Sequence, residues 1–143
     1  MACSERCEQR SAQTAYNEAA QAYTADGNAL AILGALATDR GDSIKTQAGG
    51  FLIRYGGLFR VSADVTSTPS AAGVQTVRLM LENAVMPGAV VQDTTTAGAE
   101  MTQHVETVAV IPTCCAIQPV VTVWIGGVAG TVNRVNANIV KLG

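Results

Sequence analysis

The sequence predicts an all-β protein, a jelly-roll sandwich of eight to nine strands preceded by an N-terminal α-helical arm. Three observations carry this expectation. Beyond residue 57, apolar and polar residues alternate with a period of two in several short runs. Gly and Pro punctuate the gaps, and no helix-length segment separates the runs. The first 23 residues contain neither Gly nor Pro and are rich in Ala, Glu, Gln and Arg, which favour helices.

The arm comes first. Residues 3–23 read as a helix in which Ala12, Ala15, Tyr16, Ala19, Ala20 and Tyr23 form a stripe of small residues with two Tyr anchors. Cys3 and Cys7 lie four apart and share a helical face. So narrow a stripe suits docking on a partner better than a private core. Asp26-Gly27-Asn28 supplies turn chemistry to end it. The chain divides into an attachment arm, 1–28, and a body, 29–143. Cys3, Cys7, Tyr16 and Tyr23 are the candidate attachment residues.

In the body, Phe59, Val61, Ala63 and Val65 alternate with Arg60, Ser62, Asp64 and Thr66. Val77, Leu79 and Leu81 form a second apolar face. Val105, Ala109 and Ile111 form a third, Val121, Val123 and Ile125 a fourth, and Val135, Ala137 and Ile139 a fifth. Shorter candidate strands lie at 29–36, 43–47, 50–55 and 88–94; the Ala and Leu of 29–36 would also suit a helix. Runs 58–66 and 74–82 look like outer-sheet strands. Runs 107–111, 119–125 and 135–140 are apolar on much of both faces, as in strands covered on both sides. One sheet is therefore expected to meet other subunits.

Composition supports assembly. Apolar residues make up 48% of the chain and charged residues 14%, against about 25% charged in an average domain. No stretch reaches the ~18 consecutive apolar residues of a membrane span. Subunit contact is thus the better use of the apolar surface. The net charge is −2. The nine Lys and Arg are scattered along the sequence, and three Tyr, two Phe and one Trp make no stacking platform. No nucleic-acid partner is expected. The polar N-terminus has no apolar h-region, so synthesis without a secretory signal is expected.

The run Gly57-Leu58-Phe59-Arg60-Val61-Ser62-Ala63-Asp64-Val65 resembles the G-x-Y-x-V-S-x-x-V strand of C1q/TNF-like trimeric jelly rolls, with Phe59 in place of Tyr. Gly49 to Ile53, Leu79 to Ala89 and Asn136 to Leu142 extend the resemblance over residues 29–143. Asn83-Ala84 departs from the usual Asn-Gly. With its arm, the chain is similar to virion-associated proteins of phages of gut Firmicutes. The resemblance implies a homotrimer made in a host cytoplasm and carried in a virion. Its implied role is a capsid decoration or head-fibre module bound to the major capsid protein or another virion component. Two alternatives remain. One is a receptor-binding tip in which loops 67–73, 94–100 and 126–130 read a host surface glycan. The other is a bacterial surface or spore-coat domain.

No residue set points to catalysis. His104 and Glu106 share a strand face, but no nucleophile or third ligand accompanies them. Asp39, Asp42 and Asp93 lack EF-hand spacing. Ser43, Ser62, Ser67 and Ser70 lie in no nucleophile elbow, and no phosphate loop occurs. No catalytic residue, cofactor or metal is expected. Cys3, Cys7, Cys114 and Cys115 are open to three readings: a metal cluster, a disulfide, or packed free thiols. Trp124 is a candidate trimer contact, with filling of the sandwich core as the alternative. Arg54 and Arg60 either solvate an outer face or bind acidic groups on a glycan or capsid.

Overall fold

The computed structural model describes residues 10–112 and 118–143. Among these the protein is all-β, with twelve strands. They are β1 (Ala12–Asn17), β2 (Gln21–Tyr23), β3 (Asn28–Ala29), β4 (Ala35–Arg40), β5 (Ile44–Gln47) and β6 (Gly50–Ile53), followed by β7 (Gly57–Pro69), β8 (Gly73–Leu81), β9 (Ala84–Thr95), β10 (Met101–Ile111), β11 (Val120–Gly126) and β12 (Gly130–Lys141). One sheet runs β10-β7-β12-β1-β4, with β2 also on β12. The second runs β5-β6-β11-β8-β9, with β3 on β11. The pairs are antiparallel. No helix long and apolar enough to cross a membrane occurs among the described residues.

The alternating runs form the core as their periodicity requires. Phe59, Val61, Ala63 and Val65 face inward, opposite Val77, Leu79, Val121, Val123 and Ile125 of the other sheet. Val135, Ala137 and Ile139 fill the same layer from β12. The two sheets bury these faces on each other, which is the sandwich solution to one-sided strands. The expected grouping of strands is not the one found, however. β7 pairs with both β10 and β12, so runs 58–66, 107–111 and 135–140 share a sheet. Runs 74–82 and 119–125 share the other.

The helical arm is corrected for residues 10–23. Residues 12–17 and 21–23 are strands, not helix. β1 lies inside the first sheet, paired with β12 on one side and β4 on the other. Ser11, Gln13 and Ala15 point into the sandwich and Ala12, Thr14 and Tyr16 point out. The supposed helical stripe is thus split between two faces. What remains for an arm is residues 1–9, outside the described residues.

The expected strand 29–36 is also interrupted. Leu30 and Ile32 are buried between β3 and β4, tied by Leu30 N–H to Val123 O at 2.8 Å and Ile32 N–H to Ala48 O at 2.8 Å. At the β8–β9 hairpin Leu81 faces Ala84, leaving Glu82-Asn83 as a two-residue turn. Glu82 has φ 54, while Asn83 has no positive φ. Positive φ at the first central residue alone fits a type II′ turn, in which Glu82 takes the position where Gly is usual. Glu82 is anchored at both ends: its N–H donates to Val120 O at 3.0 Å and its Oε1 accepts from Val120 N–H at 2.9 Å.

Candidate functional site

The outer face of the β10-β7-β12-β1-β4 sheet is a nearly continuous wall of strands with no covering layer among the described residues. Ladder register sets its rows. One row runs Val108, Arg60, Val140, Ala12, Arg40. The next runs Glu106, Ser62, Asn138, Thr14, Thr38. A third runs His104, Asp64, Asn136, Tyr16, Ala35. The middle is small and polar, and Thr14 Oγ1 donates to Asn138 Oδ1 at 2.7 Å. The margins are mixed: β10 ends the rows in Val108, Glu106 and His104, and β4 in Arg40, Thr38 and Ala35. On edge strand β10, Val108 is 52% exposed and Val110 70%, beside exposed Leu58. Toward the other side Tyr16 on β1 is exposed, and so is Leu36 on edge strand β4, at the register of inward-facing Ala15.

His104 sits on this face. Its Nδ1 lies 2.8 Å from Asp64 Oδ1 and its Nε2 lies 3.8 Å from Glu106 Oε1. The two carboxylates lie against opposite nitrogens of the ring, so they do not converge on one point where a cation or a reacting atom would sit. Asp39 Oδ1 accepts from Gln13 Nε2 at 2.5 Å, and Asp93 Oδ2 accepts from Gln103 Nε2 at 3.2 Å. Both serve the fold.

The other expected site residues separate. Tyr16 lies on the exposed wall. Tyr23 is buried, 3% exposed, and its hydroxyl donates to Gln75 Oε1. Burial raises the Tyr23 phenol above its ordinary 10.0, and a hydrogen bond with Ser67 opposes this. Trp124 lies on the outer face of the second sheet, not in the inter-sheet core, because it projects opposite to Val123 and Ile125. The Arg78 guanidinium lies 4.3 Å from its ring centroid. Gly27 and Gly126 also lie against it: an added Cβ would fall 1.9 Å from the ring at the first and 2.4 Å at the second. Cys3, Cys7, Cys114 and Cys115 lie outside the described residues.

The three candidate loops do meet. β7, β9 and β11 end, and β8, β10 and β12 begin, at one end of the sandwich, called here the apex. Ser70 N–H and Oγ both donate to Ala129 O at 2.9 Å, and Gly98 N–H donates to Pro69 O at 2.8 Å. Asn133 Nδ2 bridges Thr68 Oγ1 at 2.9 Å and Glu100 Oε2 at 2.8 Å.

Beneath the apex lies a buried polar layer absent from the sequence-based expectation. Gln75 Nε2 donates to Ser67 Oγ at 2.9 Å and to Gln103 Oε1 at 2.7 Å; Gln103 Nε2 donates to Gln75 O at 3.1 Å. Parity was the available signal. Gln75 shares the inward face of Val77 and Leu79, and Gln103 that of Val105.

No protein-family model matches the sequence, and no curated protein matches it. Solved structures resemble it in fold. PRD1 vertex protein P5 superposes with a TM-score of 0.69 at 14% identity, over 93% of this chain and 97% of that one. Murine APRIL, crystallised at pH 5.0, gives 0.69 at 13% identity, over 93% and 99%. The globular domain of zebrafish complement 1qA gives 0.53 at 11% identity, over 93% and 98%. The chain has the C1q/TNF-like jelly-roll fold.

Proposed function

We propose that this chain is a non-enzymatic structural module of a virion, a homotrimer that serves as a capsid decoration or head-fibre unit and is attached through its N-terminal end. The observation that carries the assembly is the exposure of Val108 and Val110 on an open edge strand. A lone domain gains nothing by presenting these side chains to water. The far side of the same sheet offers a second, different apolar patch, Tyr16 on β1 and Leu36 on edge strand β4. Two unlike patches on one subunit make a heterologous contact, which closes into a ring when the rotation fits. The resemblance to trimeric C1q/TNF-like domains supports a threefold ring, in which Trp124, on the second sheet, would lie outside the contact. The fold likeness to a vertex protein supports the virion role.

The N-terminal end suits attachment. Cys3 and Cys7 precede Arg10 in sequence, and Cys114 and Cys115 follow Pro112. Arg10 and Pro112 lie at the end opposite the apex, because Ile111 faces Gly57, Leu58 bonds Gly143, and Lys141 bonds Ser11. The four thiols would pin the N-terminal segment to the body, as a disulfide or as packed thiols. A thiol titration of the unfolded, unreduced chain that finds all four free excludes the disulfide form.

The test of assembly is the solution mass of the full chain by light scattering. Three times the chain mass is expected, falling to one for Val108→Glu/Val110→Glu with an unchanged far-UV circular dichroism spectrum. A wild-type monomer at micromolar concentration would sink the proposal. The convergence of loops 67–73, 94–100 and 126–130 favours a second reading, a tip that binds a host glycan; selective hits on a glycan array would raise it above the first.

A further inference from the structure

The basic residues look scattered in sequence, yet folding sorts them. At the base, the end opposite the apex, lie Arg10, Arg40, Lys45, Arg54, Arg60 and Lys141, against the acids Asp39, Asp42 and Glu82. The rest of the described body has only Arg78 and Arg134 against six acids, among them Glu18, Asp26, Asp93 and Glu100. Among the described residues the base is therefore net positive, six cations to three acids, and the rest net negative, two to six. Among the described residues none of the six basal cations is in an ion pair; Lys141 Nζ meets a hydroxyl, Ser43 Oγ, at 3.3 Å.

We infer that this base is a docking surface for a carboxylate-rich protein surface. The inference rests on the attachment role proposed above and names the surface that performs it. Arg40 and Arg60 face the wall that the ring uses, so the surface left to a partner carries Arg10, Arg54, Lys45 and Lys141; the planar fork of Arg pairs with carboxylates through two parallel hydrogen bonds. Nucleic acid fits poorly: the excess positive charge is small, acids are interspersed, and Tyr55 is the one exposed aromatic side chain among the described basal residues. The proposed ring multiplies the effect. Its contacts use the sheet wall and its margins, so strands run along the axis and three bases face the same way. Three weak basal contacts then act together. The apex, with its acidic excess, is repelled from the same partner, which fixes the orientation.

The experiment measures binding of the full chain to immobilised poly-L-glutamate at low salt. A 20-base-pair DNA duplex and phosphatidylserine vesicles are the alternative probes, each with the solution mass recorded in parallel. Lys45→Gln/Arg54→Gln removes two basal charges away from the Val108 and Val110 margin and is expected to weaken binding about tenfold with the trimer mass retained. Thr94→Glu/Thr96→Glu lowers the net charge equally at the apex and is expected to leave binding within about twofold. Equal losses in both variants would overturn the inference, because net charge alone would then explain binding. So would tighter binding of the duplex or the vesicles, or a trimer that ignores polyglutamate while the ring itself stands. A monomer that still binds through Lys45 and Arg54 would support the basal surface and overturn the ring.

Discussion

β7 and β1 flank the same strand, β12, one on each side, yet they differ in how they come to be strands. β7 carries its own instructions. Its inward side chains are Phe59, Val61, Ala63 and Val65 and its outward ones Arg60, Ser62 and Asp64, so either sheet face would reject the wrong register. β1 carries few. Two of its three inward side chains, counting Ser11, are polar, and its Ala and Gln favour helix. It is extended because its backbone pairs with β12 and β4 at once. Its inward polar groups are met on arrival: Ser11 Oγ accepts from Ser43 N–H at 2.8 Å, and Gln13 Oε1 accepts from Thr46 Oγ1 at 2.7 Å. A pattern-poor segment becomes an interior strand when neighbours supply the partners for its polar side chains.

The comparison breaks if β1 is only loosely docked. Ala15→Asp places an unpaired charge at a fully buried site and is expected to cost about 3 kcal/mol or more in urea unfolding. Phe59→Ala on β7 is expected to cost about 3–5 kcal/mol. Comparable losses make the two strands equal members of one cooperative unit. An Ala15→Asp effect within about 0.5 kcal/mol, as on a surface, would return residues 10–17 to the status of an arm.

A smaller effect sharpens the same point at β2. Tyr23→Phe leaves Gln75 Oε1 without its donor and is expected to cost about 1–3 kcal/mol. The raised Tyr23 pKa adds a sign. The fold favours the neutral phenol, so this contribution is complete below the unfolded tyrosine value near 10.0 and is lost as pH rises through the higher folded value. Alkaline unfolding curves of wild type and Tyr23→Phe are expected to converge in that range. Curves that stay parallel would mean that Tyr23 does not couple the N-terminal strands to the core.

Much of the body was legible because burial on one side writes a period of two into a strand. The runs at Phe59, Val77, Val105, Val121 and Val135 all face the core where alternation placed them. The resemblance of 57–65 to C1q/TNF-like strands led to the right fold. The site was less legible. Run 107–111 stood out as apolar on both faces, but the sequence did not say that Val108 and Val110 would lie exposed on an edge strand. Tyr23 and Trp124 could be marked as special, but not placed.

By itself, then, the sequence determined which faces of the strands go inside, where the turns fall, and that too little charge is present to coat a lone domain. Faces and turns are local patterns and charge content is a sum over the chain, so neither depends on which distant segments meet. Only the tertiary structure decided that residues 12–17 are a strand, that β7 pairs with both β10 and β12, and that six scattered cations share one end. These depend on contacts between residues tens of positions apart, and no periodicity records which distant partner a backbone or a charge will meet.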